Sequence, residues 1–138
     1  MPGEGYLRTL SMILTNLITY KIVNDNFENL NLKKQVIIEK IKRYLEKNVH
    51  LNINMKTLAS EFYLSPNYLG DLFKKVTGMS IKQYHNKVKM EASIMMLRNS
   101  GQSVTEIARQ LGYDDLAYFS KCFKNYFNIS PSQIKKNP

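Results

Sequence analysis

Few residues in this sequence are able to do chemistry, and they are unevenly placed. Cys122 is the lone cysteine, and His50 and His85 are the two histidines. An internal disulfide is therefore excluded, and so is a zinc ribbon or finger, which needs four N/S ligands at close paired spacings. No CxxC, HExxH, GxSxG, Walker or GxGxxG pattern occurs, so neither catalysis nor a bound metal or cofactor is expected. What remains is two slim polar faces. One carries Asn67, Gly70, Asp71, Lys74 and Lys75; the other carries Leu116, Ala117, Ser120, Lys121 and Lys124. Small and polar residues near a helix start let the backbone approach the floor of a DNA major groove, where donor and acceptor patterns are read. Lysines further along suit phosphates.

Those faces sit in a repeat. Shifting the sequence by fifty places Ser65 on Asp115, Tyr68 on Tyr118, Leu69 on Phe119, Phe73-Lys74 on Phe123-Lys124, Gly78 on Asn128 and Ser80 on Ser130. Upstream, Leu58-Ala59 falls on Ile107-Ala108 at a shift of forty-nine, so the second copy has one extra residue in its turn, near Gly112. Each copy reads as a short helix, a tight turn and a second helix, the helix-turn-helix pattern. Ala59 and Ala108 permit close helix approach. Leu69, Leu72, Phe73 and Val76, and likewise Phe119, Cys122, Phe123 and Tyr126, recur at i, i+3, i+4 and i+7 and are expected to be core. Cys122 in that stripe reads as an inert thiol.

Helix starts are signalled by Asn54, by Ser65 with Pro66, and by Ser80, Ser103 and Asp115. They open helices over Met55–Phe62, from Pro66 to about Val76, to about Asn99, over Val104–Leu111 and to about Tyr126. Gly78 and Gly112 mark helix ends, and Asn128, Ser130 and Pro131 a last stop and restart. The helix between the copies, from Ser80 to Asn99, spans about 30 Å, near the ~34 Å between successive major grooves on one DNA face. Its Ile81, Tyr84, Val88, Met95, Met96 and Leu97 are expected to bind the two copies, leaving Lys82, Lys87 and Lys89 for solvent or DNA backbone.

Upstream, Leu32 to Asn48 reads as a helix with Val36, Ile37, Ile41, Tyr44 and Leu45 on one face. The Asn- and Asp-rich stretch 24–31 reads as a linker, because those side chains compete for backbone hydrogen bonds. From Tyr6 to Val23, Leu7, Leu10, Leu14 and Leu17 define an amphipathic helix that needs a packing partner. Three partners are open: the rest of the chain, a second copy, or a neighbouring domain. No stretch alternates as a strand does, so the fold class is all-α.

The chain has 138 residues and a net charge of +9. Residues 1–34 hold four basic and three acidic groups, whereas 35–138 hold sixteen and eight. That surplus favours a polyanion: nucleic acid first, an anionic membrane surface second. Thr9 to Tyr20 is uncharged but only twelve residues long, short of the about 20 apolar residues of a membrane span. The cytoplasm is the expected compartment. A basic helical adaptor that binds a protein partner or an anionic surface through the Tyr6–Val23 helix is the alternative to a DNA reader.

Residues from about 35 to 136 resemble the DNA-binding domain of the AraC/XylS family of bacterial transcription regulators. The likeness is carried by Ile53-Asn54-Met55-Lys56-Thr57-Leu58-Ala59, Leu64-Ser65-Pro66-Asn67-Tyr68-Leu69 and Phe73-Lys74-Lys75-Val76-Thr77-Gly78. Above all it is carried by the run from Val104-Thr105-Glu106-Ile107-Ala108 through Gly112-Tyr113 to Phe123-Lys124. The resemblance implies seven helices, two helix-turn-helix subdomains on a long linker helix, an asymmetric promoter site read in two adjacent major-groove segments, and contact with RNA polymerase. It maps base contacts onto Asn67, Gly70 and Asp71, and onto Leu116, Ala117, Ser120 and Lys121. Tyr68 and Tyr118, with Lys74, Lys75 and Lys124, complete the candidate DNA contacts. Against the family pattern, Asp71 stands where Arg or Gln is frequent, Lys89 and Ser93 replace Arg and Ala, and Asn128 replaces Gly. Residues 1–34 are too few for the sensing or dimerising domain usual in the family. The expectation is therefore a fragment, or a regulator controlled by its abundance, with a homodimer through the N-terminal helix as one of the open partnerships.

Overall fold

Side-chain caps set the helix starts in the structure, a computed structural model that describes residues 2–136. Asn54 accepts from the N–H groups of Lys56 and Thr57, Ser65 from Tyr68, and Asp115 from Ala117. Ser80 with Gln83 and Ser103 with Glu106 form reciprocal capping boxes, each satisfying two otherwise unpaired donors. The helices that follow are α2 (Met55–Glu61), α3 (Pro66–Thr77), α4 (Ile81–Asn99), α5 (Val104–Gln110), α6 (Leu116–Phe127) and α7 (Pro131–Lys136), after α1 (Pro2–Lys47). No strand occurs among the described residues.

The expected linker at 24–31 is helical and lies inside α1. No Gly or Pro occurs between Gly5 and Pro66, and Asn or Asp in a helix interior costs only about 0.7 kcal/mol or less relative to Ala, too little to break it. Two compact units divide at Ile37/Ile38. In the first, the expected packing stripe is uncovered: Leu7, Leu10, Leu14 and Leu17 are 65, 38, 58 and 59% exposed.

In the second unit the core is built around α4. Ile38, Ile41 and Leu45 are buried on α1, Leu58 and Ala59 on α2, and Leu69, Leu72 and Phe73 on α3. A second cluster joins Met90 and Leu97 of α4 to Ile107, Ala108, Leu111, Tyr113, Phe119, Phe123 and Ile134. Rings run through it, with centroids 5.1 Å apart for Tyr113–Phe119, 6.0 Å for Phe119–Phe123 and 4.7 Å for Phe123–Phe127. Val76 and Tyr126, one turn beyond each buried pair, are exposed, and Cys122 is only partly covered. On α1, Val36 is likewise exposed.

The buried stripe of α4 departs most from expectation. It is Ile81, His85, Lys89, Ser93 and Leu97, with Met90 alongside, while Met95 is 59% exposed. These residues recur every fourth position, so each neighbours the next on the helix surface while the row drifts about 40° per step around the axis. Lys89, expected in solvent or on DNA, is buried. Burial lowers the pKa of both His85 and Lys89, because desolvation disfavours the charged form.

The two turns are the same object built from different residues. Leu64 N–H donates to the Ala59 carbonyl at 3.1 Å, and Tyr113 N–H to that of Ala108 at 2.9 Å. One residue earlier, the chain is left-handed in both: Tyr63 at φ 55° and Gly112 at φ 84°. A Cβ on Gly112 would collide with the His50 carbonyl oxygen, whereas the Tyr63 ring is 96% exposed.

Gly112→Ala should therefore destabilise the protein by more than about 2 kcal/mol, through left-handed strain and the lost close approach. Tyr63→Gly, which relieves left-handed strain of about 1 kcal/mol and loses some of that gain to unfolded-chain entropy, should leave stability unchanged or slightly raised. Urea unfolding of both variants checks the contrast. A second pair of outcomes concerns pH. With the folded-state pKa of His85 below 6.5, the unfolded chain takes up the proton first as pH falls through 6.5, so stability drops on the acid side. His85→Gln should flatten that slope. Burial disfavours the charged form of Lys89, so Lys89→Met, which removes that penalty, should raise the urea midpoint at pH 7.

Candidate nucleic-acid interface

Helices α3 and α6 are built alike. Each has twelve residues, a side-chain N-cap and a left-handed C-cap, with φ 78° at Gly78 and 61° at Asn128. The cap N–H groups close on Lys74 and Lys124 carbonyls at 2.8 Å in both. Asn128 takes the left-handed cap because asparagine tolerates that region better than other non-glycine residues.

Each helix buries one face, Leu69, Leu72 and Phe73 in α3 and Phe119 and Phe123 in α6. The opposite faces carry the residues singled out from the sequence. Asn67, Tyr68, Asp71, Lys74 and Lys75 are exposed on α3, with Gly70 half-buried. Leu116, Ala117, Tyr118, Lys121 and Lys124 are exposed on α6, with Ser120 half-buried. Among the described residues one ion pair forms, Lys42 to Glu39 at 3.3 Å. The four lysines of α3 and α6 are thus free of carboxylate partners, and Lys74, Lys75 and Lys124 lie in last turns, where the helix dipole favours cations.

Nineteen residues of α4, about 28 Å of helix, run between the two helix-turn-helix units. A set of polar contacts centres on this helix. His85 Nε2 lies 3.1 Å from the Asn48 carbonyl oxygen, the ring donating, and the Tyr84 hydroxyl donates to Glu46 Oε1 at 3.1 Å. On the other side, Lys89 Nζ sits 5.1 Å from the Tyr113 ring centroid, and the Tyr113 hydroxyl donates to Asn86 Oδ1 at 3.2 Å. Burial, with Cys122 and Tyr118 adding to it, pushes the Tyr113 phenol up to about 12. Burial and then the Glu46 bond push Tyr84 to about 12 as well. Both hydroxyls remain donors at neutral pH.

His85, Asn86, Lys89 and Tyr113 border an open cleft of about 620 Å³ that Asn52, Met55, Asp115 and Tyr118 also line. No group of His, Cys, Asp or Glu among the described residues is placed to hold a metal, and no described helix is long and apolar enough to cross a membrane. Sequence reasoning missed the polar contacts at α4. Lys89 reads as facing solvent or DNA backbone, and nothing in the local pattern marks His85 as buried.

The family model "Helix-turn-helix domain" matches residues 58–137. The Msm operon regulatory protein of Streptococcus mutans is 33% identical over 111 residues, covering 80% of this chain and 40% of that protein. The HTH-type transcriptional activator RhaS of Escherichia coli is 29% identical over 136 residues, 99% of this chain and 48% of its own length. The chain thus spans less than half of each of these relatives. Among solved structures, the C-terminal domain of AraT, a response regulator from Geobacillus stearothermophilus, superposes with a TM-score of 0.70 at 28% identity, over 74% of this chain and 85% of that one. The DNA-binding domain of AdpA, solved with a target DNA, shares the fold with a TM-score of 0.67 at 20% identity, over 72% of this chain and 89% of that one. With seven helices in this order, two matched helix-turn-helix units and a family model over more than half its length, the chain belongs to the AraC family of transcription regulators.

Proposed function

We propose that this chain binds a bacterial promoter in a sequence-specific way, with α3 and α6 entering two adjacent major-groove segments. The observation that carries the reading is the matched pair of twelve-residue helices, each with a polar outer face and unpaired lysines, at either end of a linker helix close to one DNA turn in length. Asn67, Gly70, Asp71, Leu116, Ala117, Ser120 and Lys121 are the proposed base-facing residues, flanked by Tyr68 and Tyr118. Lys74, Lys75 and Lys124 lie on phosphates. Likeness to RhaS, an activator by name, extends the proposal to activation through RNA polymerase, in the cytoplasm at the nucleoid.

The uncovered stripe of α1 favours a second partner surface. We propose that Leu10, Leu14 and Leu17 meet the same stripe of another copy of the chain. The near balance of charge in residues 1–34 speaks against an anionic membrane in this role.

Selection of bound duplexes from a random pool, followed by mobility shifts at several salt concentrations, tests the DNA reading. Lys124→Ala should weaken binding to all sequences alike and lower the salt slope by about 1. Lys121→Ala should weaken binding with loss of preference at one position, and Asp71→Ala should strengthen it by removing repulsion from phosphate. Equal affinity for every duplex would reject the reading. For the second surface, sedimentation of the full chain should show a dimer that Leu14→Asp with Leu17→Asp converts to monomer. A monomeric parent chain would reject it.

A further inference from the structure

Two readers joined by one helix recognise a spacing as well as a sequence, and something must hold the spacing. The apolar cluster fixes α5, α6 and α7 on the C-terminal half of α4, and Phe73 stacks edge-on to Tyr84 near the other end, at 5.6 Å. Between these two packings, polar contacts are added to the apolar ones that Met90 makes in the cluster with Val49, Leu111 and Tyr113. His85 holds the Asn48 carbonyl, Lys89 lies against Tyr113, and Gly112 closes on the carbonyl of His50. These contacts tie the strap 48–50, which leads into the first helix-turn-helix, to the turn of the second.

Polar contacts with fixed partners have one geometry, whereas an apolar contact tolerates sliding. Lys89 is 7% exposed and has neither a hydrogen bond nor a carboxylate partner among the described residues, so its ammonium is positioned by the Tyr113 ring face. The glycine leaves no slack, since a methyl group at that point would strike backbone. The joint borders the cleft, which His85, Lys89 and Gly112 all line.

We propose that the joint of His85, Lys89 and Gly112 determines DNA specificity by fixing the number of base pairs between the two segments read, without touching a base. The inference rests on the two-segment reading above. Each inserted base pair moves one segment by about 3.4 Å and about 34° relative to the other, more than a rigid joint follows.

The experiment uses the full chain and a selected duplex, remade with one or two base pairs added or removed between the protected segments. The parent protein should lose tenfold or more in affinity for each one-pair change. Gly112→Ala and Lys89→Ala should reduce that ratio at least threefold while base preference within each segment stays as before, and Lys89→Arg, which keeps a cation over the ring, should restore it. Lys89→Ala serves if Gly112→Ala does not fold, with circular dichroism confirming helix content. An unchanged spacer profile in folded Lys89→Ala overturns the inference, as does altered base preference. A parent footprint confined to one segment overturns the two-segment reading itself, and the inference with it.

Discussion

The close approach of the Gly112 turn to the His50 carbonyl is the contact on which the rest of the DNA-binding unit depends. It brings the second helix-turn-helix turn against the strap that leaves α1. It also leaves Tyr113 facing inward, onto Phe119 and under Lys89. A larger residue at 112 moves all three. The first unit has no such constraint: Tyr63 occupies the matching left-handed position with its ring in solvent. The duplicated motif therefore has one member locked to the body of the domain by backbone contact and one held by side-chain packing on α4.

That asymmetry runs through to the exposed faces. The first carries Asp71 among its lysines, while α6 offers Lys121 and Lys124 with no acid on the same helix. A carboxylate among phosphates raises the energy of non-specific binding, and it accepts a hydrogen bond only from a donor such as cytosine N4. The two faces thus differ in charge, the second being basic throughout and the first mixed.

Much of this was legible in the sequence because it rests on local chemistry. Five caps were readable because Ser, Asn and Asp satisfy helix N–H groups wherever they stand, and the repeat because the packing of Leu69 and Phe73 is solved again by Phe119 and Phe123. Family membership followed from those same residues. The helical stretch 24–31 was not legible: turn propensity is a preference of tenths of a kcal/mol per residue, and an unbroken run without Gly or Pro overrides it. The stripe of α4 was hidden for another reason. His85 and Lys89 are buried by contacts with Asn48 and Tyr113, far away in sequence, and no local pattern announces such partners. Of the candidate contact residues, Gly70 and Ser120 are half-buried and the rest exposed.

Along α1, residues 5–33 are exposed on every side, so that stretch is held by local hydrogen bonds, those of its backbone and of the Thr9, Thr15 and Thr19 hydroxyls to carbonyls four residues back. Helices without a packed face gain little cooperativity from neighbours. Its amides should accordingly exchange with solvent at the rate of an isolated helix, while those of α4 are protected by opening of the whole domain. In this respect the chain is two materials under one covalent backbone: a domain that melts as a unit, and a segment whose order rises when its apolar stripe is covered. A second copy on that stripe, as proposed, would supply ordering free energy as well as hold on.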